Sequence, residues 1–121
     1  MRLTSLVTNF TLLGVTVACG GCLPTVGVSA DFDSALPQDR LAAVAEARRT
    51  GDLGAVAQLI EMLSSDDPLI RLVASDTLKR LTNEDFGYDP GAPDADRRAA
   101  AERWADWHAG TESAAEARAD L

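Results

Sequence analysis

The 121-residue chain has few of the side chains on which catalysis and metal binding depend. It contains one histidine and two cysteines, and its aromatic residues are two Trp, one Tyr and three Phe. One imidazole supplies almost nothing for a metal site, and no motif places a nucleophile beside a histidine and a carboxylate. The composition therefore argues against an enzyme, and we expect neither a cofactor nor a metal.

Basic residues are also scarce in this chain. Lys and Arg number 11 against 19 Asp and Glu, which gives a net charge of −8. Because phosphates and anionic membrane surfaces are bound through Lys and Arg, neither nucleic acid nor such a surface is an expected partner. Alanine, by contrast, occurs 21 times, and β-branched residues are few. This composition favours helices over strands, and we predict a single all-α domain.

The N-terminal residues 1–18 are predicted to be a signal peptide, because their apolar stretch is too short to span a membrane as a helix. The sequence Val17-Ala18-Cys19 resembles the lipobox of bacterial lipoproteins. That resemblance implies that Cys19, or less favourably Cys22, is lipidated, and that the membrane is contacted only through this anchor. The alternative is ordinary secretion with cleavage after Ala18 or further on. The expected location is the cell envelope, lipid-anchored or periplasmic, or the exterior.

Residues 19–36 carry no helical periodicity and are predicted to form a flexible tether. Within them, Phe32 is expected to pack on the first helix. That helix is predicted to begin at Pro37, with Gly51 as its C-terminal stop. A second helix is predicted to follow, with Asp52 as its N-cap. Its expected buried stripe consists of Leu53, Val56, Ala57, Ile60 and Leu63.

A third helix is predicted from Pro68, because Asp67 is a good N-cap and proline suits the first helical position. A loop spans residues 83–93, and Asp94 is expected to cap a fourth helix that ends near Ala109. Residues 110–121 are then an acidic tail. The folded domain is predicted to span residues 37–109.

The predicted helices share a repeated pattern in which an arginine is followed by alanine at +3 and by a second core residue at +7. The alanine lets neighbouring helices approach closely, and the residue at +7 fills the core. The arginine points outward, where it can bond acidic residues or the carbonyls of the adjoining turn. The three instances are Arg40/Ala43/Ala47, Arg71/Ala74/Leu78 and Arg97/Ala100/Trp104.

The middle instance, together with the turn before it, resembles a HEAT repeat. The motif residues are Asp67, Pro68, Arg71, Ala74 and Leu78, and the resemblance covers residues 37–109. It implies a short α-solenoid of about four antiparallel helices that acts as a non-catalytic protein–protein interaction or scaffold module. Solenoid units bury their apolar faces against neighbours. So short an array is therefore expected either to be closed by its tryptophan-bearing last helix or to be completed by a partner or by self-association.

Two parts of the chain are candidate binding sites. Trp107, Arg97 and Arg98 are candidates for contact with a protein partner, since aromatic and arginine side chains dominate such contacts. The alternative function is a secreted or periplasmic accessory domain that binds calcium or a small ligand through the acidic loop 84–96. Its spacing approximates a calcium loop, although Pro90 replaces the required glycine and Asp96 replaces the bidentate glutamate.

Overall fold

The computed structural model describes residues 27–121, and within that range the chain is helical with no β-strand. Helix α1 is Pro37–Thr50, and a short 3-10 turn, Leu53–Ala55, leads into α2, Val56–Met62. Helix α3 is Pro68–Thr82 and helix α4 is Asp94–Ala119. The prediction of an all-α chain with four helices is confirmed.

The predicted end of α1 at Gly51 and the predicted N-caps Asp52 and Asp67 are confirmed. Gly51 has φ of 69°, a left-handed conformation that glycine adopts without steric cost. The Asp52 and Asp67 carboxylates each accept a backbone N–H two residues on, from Gly54 and Leu69, both at 2.8 Å. These bonds satisfy N–H groups that lack a partner within the helix.

The helices pack in the order α1, α3, α2, α4, because α3 contacts both α1 and α2, while α4 contacts α2. The positions at +3 and +7 in all three instances of the arginine pattern are buried, with at most 4% of each residue exposed. The prediction that these positions form the core is therefore confirmed. The largest fully buried side chains are Trp104, Leu59, Leu63, Ile70, Leu78, Val44 and Thr77.

The predicted stripe of the second helix is partly wrong. Leu53 is 63% exposed and Ala57 is exposed, whereas Leu59 is fully buried. The buried residues Val56, Leu59, Ile60 and Leu63 follow the i, i+3, i+4, i+7 spacing of one helical face, which leaves Ala57 outside it. Leu53 precedes α2 and lies in the 3-10 turn. The buried face therefore contains Leu59 in addition to the predicted Val56, Ile60 and Leu63.

Both predicted ends of the fourth helix are also wrong. Asp94 is the first helical residue and Pro93 occupies the cap position, so the Asp94 carboxylate bonds Arg97 and Arg98 instead. The helix continues past Ala109 to Ala119, although all residues from 109 onward are exposed. Alanine is the strongest helix former, and Gly110 is the weakest helix former of this alanine-rich extension.

The last part of the predicted tether is attached to α1 through Asp39, a residue only 8% exposed. The Asp39 carboxylate accepts the Ser29 backbone N–H at 3.2 Å and the Ser34 hydroxyl at 2.9 Å. Its backbone carbonyl also accepts the Asp31 N–H at 3.2 Å. Phe32 packs against the hydrophobic core. Residues 29–36 are therefore part of the folded unit, contrary to the prediction of a flexible tether.

In this described part of the chain, no helix combines the length and the apolar character needed to cross a membrane. The predicted signal peptide and both candidate lipidation sites, Cys19 and Cys22, lie outside the described residues.

Candidate interaction surfaces

Two arginines at equivalent positions of the repeated pattern have equivalent bonds. Arg71 Nη1 donates to the carbonyl oxygens of Ser65 at 2.7 Å and Asp66 at 3.0 Å, in the turn that precedes its helix. Arg97 Nη1 donates to the carbonyl of Ala92 at 2.6 Å, in the loop that precedes α4. Carbonyls in such turns have no helical partner, so each arginine stabilises the entry to its own helix.

These arginines meet at a polar cavity of about 390 Å³ between the turn after α2 and the start of α4. We call it the arginine cleft; its charged lining residues are Arg71, Arg97, Arg98, Asp66 and Asp94. Asp94 bonds Arg97 Nη2 at 3.2 Å and also Arg98 Nη2. The lining thus has three cationic and two anionic groups, a local excess of positive charge in an acidic chain.

Tyr88 lies close to this cleft and is almost fully buried. Its hydroxyl donates to the carbonyl oxygen of Leu63 at 2.5 Å. Burial raises the pKa of Tyr88, while the nearby positive charges of Arg71 and Arg97 act in the opposite direction. Sequence reasoning missed this contact, because the two residues lie 25 positions apart and no local pattern connects them.

A second cavity, of about 320 Å³, lies where α4 passes the 3-10 turn and the end of α3. We call it the tryptophan groove; Leu53, Val56, Leu81, Trp107 and His108 line it, together with Thr82 and Thr111. Its lining side chains are mainly apolar. The structure therefore places Trp107 at a surface groove, but it does not bring Trp107 together with Arg97 and Arg98, since the two cavities share no lining residue.

The two tryptophans of α4 have different environments. Trp104 is fully buried and meets the ring of Phe86 edge-on, with ring centroids 4.7 Å apart. Trp107 is only partly buried and packs edge-on against Trp104, at 5.7 Å. Trp104 therefore serves the core, whereas Trp107 connects the core to the tryptophan groove.

Three carboxylates of the acidic loop 84–96, those of Asp85, Asp89 and Asp94, bond backbone N–H groups or basic side chains. Asp85 accepts the Gly87 N–H at 2.8 Å, and Asp89 accepts the Gly91 N–H at the same distance. The Gly87 bond, with help from Lys79 at 3.1 Å, lowers the pKa of Asp85. Across residues 27–121, no three carboxylate, histidine or cysteine groups converge as metal ligands. No observation therefore favours the calcium alternative.

Of the five HEAT-like motif residues, one is the N-cap of α3 and the other four lie within α3. Asp67 is the N-cap of α3, Pro68 is its first residue, and Arg71 bonds the preceding turn. Ala74 and Leu78 are both fully buried. Comparison with known proteins gives no matching family model, curated protein or solved structure. Membership of the HEAT-repeat family thus stays a prediction from the motif.

Proposed function

We propose that this chain is a non-catalytic, HEAT-like interaction or scaffold module of the bacterial cell envelope. The observation that carries the proposal is the equivalent bonding of the pattern arginines in α3 and α4, together with the burial of the repeated core positions. Arg71 and Arg97 both bond the turn before their helix, and the +3 and +7 residues are buried in each case. Repeat architectures of this kind function by presenting an extended surface to other macromolecules.

The order of packing supports a short solenoid. Helices α2 and α3 contact each other, α1 lies against α3, and α4 lies against α2. In the proposed arrangement the pair α2 and α3 is antiparallel, and the flanking helices extend the array on either side. An array this short leaves apolar edges, and Leu53, Leu69 and Leu72 are each at least 50% exposed.

The tryptophan groove is the proposed contact surface for a protein partner. Exposed apolar groups beside a partly buried tryptophan are typical of the sites that dominate binding energy. A photo-reactive amino acid at Leu53, which lines the groove, tests this in cells of the natural host. The matched control is Leu36, which is 50% exposed and lies outside the groove.

The proposal predicts a discrete adduct of higher mass from position 53 and none from position 36. A second variant that carries Trp107→Asp should lose the adduct at position 53 while its far-UV circular dichroism is unchanged. Equal adducts from both positions, or no adduct from position 53, would contradict the proposal.

The envelope location is proposed from residues 1–19 alone. A lipidated Cys19 would place the membrane surface N-terminal to Ser29, whose backbone N–H bonds Asp39. Intact-mass measurement after expression in a bacterium tests this, with Cys19→Ala expected to abolish the lipid mass and Cys22→Ala to preserve it. A mature chain without lipid would support periplasmic or secreted release instead.

A further inference from the structure

We propose that the arginine cleft binds a carboxylate side chain from a short segment of the partner protein, in which apolar residues adjoin the acidic one. This inference rests on the proposed function as an interaction module and names the chemistry that one of its surfaces recognises.

Arg71 has a positive charge that is available to a ligand. Its bonds go to the neutral carbonyls of Ser65 and Asp66 and not to a carboxylate, so its positive charge is not cancelled by its partners. Within residues 27–121 both bonds use Nη1, which leaves the two N–H donors of Nη2 for a ligand. A guanidinium fixed in this way is preorganised to bind an oxyanion.

Asp94 bonds arginine donors that a carboxylate ligand would otherwise bind. It bonds both Arg97 and Arg98, and the side chains of Asp94 and Arg98 are 56% and 72% exposed. Exposed ion pairs of this kind are weak and exchange readily. An incoming carboxylate can therefore take the donors of Arg98 while Asp94 keeps Arg97, whose side chain is only 21% exposed.

The surroundings of the cleft favour a peptide over a free anion as its ligand. The cleft adjoins a shallow groove of about 340 Å³ between α2 and α4, and Ser64 and Arg98 line both. The walls of this second groove include Ile60, Ala101 and Ala105. A segment whose carboxylate reaches the arginines would thus lay its next residues on an apolar surface.

Charge limits what else can bind. Glu61 and Glu102 also line the groove between α2 and α4, so a second carboxylate on the segment would be repelled there. The net charge of −8 disfavours long polyanions such as nucleic acid. The recognised segment therefore has one acidic residue next to small or apolar ones.

The test uses the full chain and a fluorescein-labelled peptide that has one glutamate followed by leucine and alanine, measured by fluorescence anisotropy. Arg98→Ala should weaken binding about tenfold, which corresponds to the loss of one charge-assisted hydrogen bond. Arg118→Ala is the matched control, because Arg118 is exposed on the same helix and lies outside the cleft. It should leave the affinity unchanged.

Asp94→Asn provides the sharper measurement. Removing the competing carboxylate should tighten binding of the peptide, whereas a purely structural role of Asp94 would leave the affinity unchanged or lower it. The same peptide with glutamine in place of glutamate should not bind. Inorganic phosphate should compete only weakly, because it cannot use the groove between α2 and α4.

The inference is overturned if the peptide does not bind saturably, if Arg118→Ala weakens binding as much as Arg98→Ala, or if Asp94→Asn leaves binding unchanged or weakens it. Competition by phosphate as effective as that of unlabelled peptide would indicate a simple anion site and would also overturn it. These failures are separable from failure of the proposed function, which is measured by crosslinking from Leu53 in the other cavity.

Discussion

The hydroxyl of Tyr88 donates to the carbonyl oxygen of Leu63 at 2.5 Å, in the buried interior of the domain. Leu63 is the C-cap of α2, where carbonyl groups no longer have a partner within the helix. Tyr88 belongs to the irregular loop between α3 and α4. This one bond therefore attaches that loop to the end of α2 and satisfies a buried acceptor.

Tyr88→Phe should lower the free energy of unfolding by about 1–2 kcal/mol, because it leaves the Leu63 carbonyl buried without a donor. Urea denaturation at neutral pH measures this loss. A matched control is Tyr88→Leu, which also removes the ring contacts and should cost more. Equal stability of the wild type and Tyr88→Phe would contradict the role of the bond.

The same residue predicts a pH dependence at alkaline pH. Burial raises the pKa of Tyr88 in the folded chain above its value of about 10 in the unfolded chain. Its contribution to stability is therefore complete below about pH 10 and is lost as pH rises through the folded pKa. The chain has a single tyrosine, so Tyr88→Phe should have a shallower alkaline decline in stability. Identical slopes for the two proteins would rule this out.

The two tryptophans of α4 should differ in their effect on stability. Trp104→Ala removes a fully buried side chain from the core and should cost about 3–5 kcal/mol. Trp107→Ala, at the partly buried position, should cost clearly less and should mainly alter the tryptophan groove. Urea denaturation followed by far-UV circular dichroism compares them, and similar losses would show that Trp107 also belongs to the core.

Asp39→Ala should release residues 29–36 from α1, because the carboxylate accepts bonds from both Ser29 and Ser34. Hydrogen exchange of the Ser29 amide should become much faster, while the core amides of α3 keep their protection. Asp33→Ala is the control, since Asp33 is an exposed carboxylate of the same segment. Unchanged exchange in the Asp39 variant would show that other contacts hold the segment.

Two glycines should respond in opposite directions to substitution by alanine. Gly110 lies within α4 and a Cβ there meets nothing within 4 Å, so Gly110→Ala should stabilise the exposed extension by about 0.5–1 kcal/mol. Gly51 has φ of 69°, so Gly51→Ala should destabilise the end of α1 by about 1 kcal/mol. Far-UV circular dichroism and amide exchange across residues 109–119 measure the first effect, and thermal unfolding measures the second.

Much of the helical architecture could be predicted from local sequence. Asp67 and Pro68 specify the start of α3, and Gly51 specifies the end of α1, because cap geometry depends on only a few neighbouring residues. The buried +3 and +7 positions were predictable too, since helical periodicity is a property of the chain itself. The 3-10 turn before α2 was not predicted, and Leu53 within it is exposed.

The candidate interaction surfaces depend on the tertiary structure more than the positions of the helices do. The sequence singled out Arg97, Arg98 and Trp107, and their positions along α4 already place Trp107 far from the two arginines. Only the packing of the helices adds Arg71 to the cleft of Arg97 and Arg98. Asp94 was predicted to cap the fourth helix. Two arginines one turn further along the same helix instead bind its carboxylate.

By itself, then, the sequence determined an acidic all-α chain, the start of α3, the end of α1 and the repeated core positions, because these depend on composition and on neighbours within one or two turns. Only the tertiary structure decided that Tyr88 bonds Leu63 and that Asp39 holds residues 29–36. It also placed three arginines around one cleft. The physical reason is that buried hydrogen bonds and clefts form between segments distant in sequence, and their partners are chosen when the helices pack.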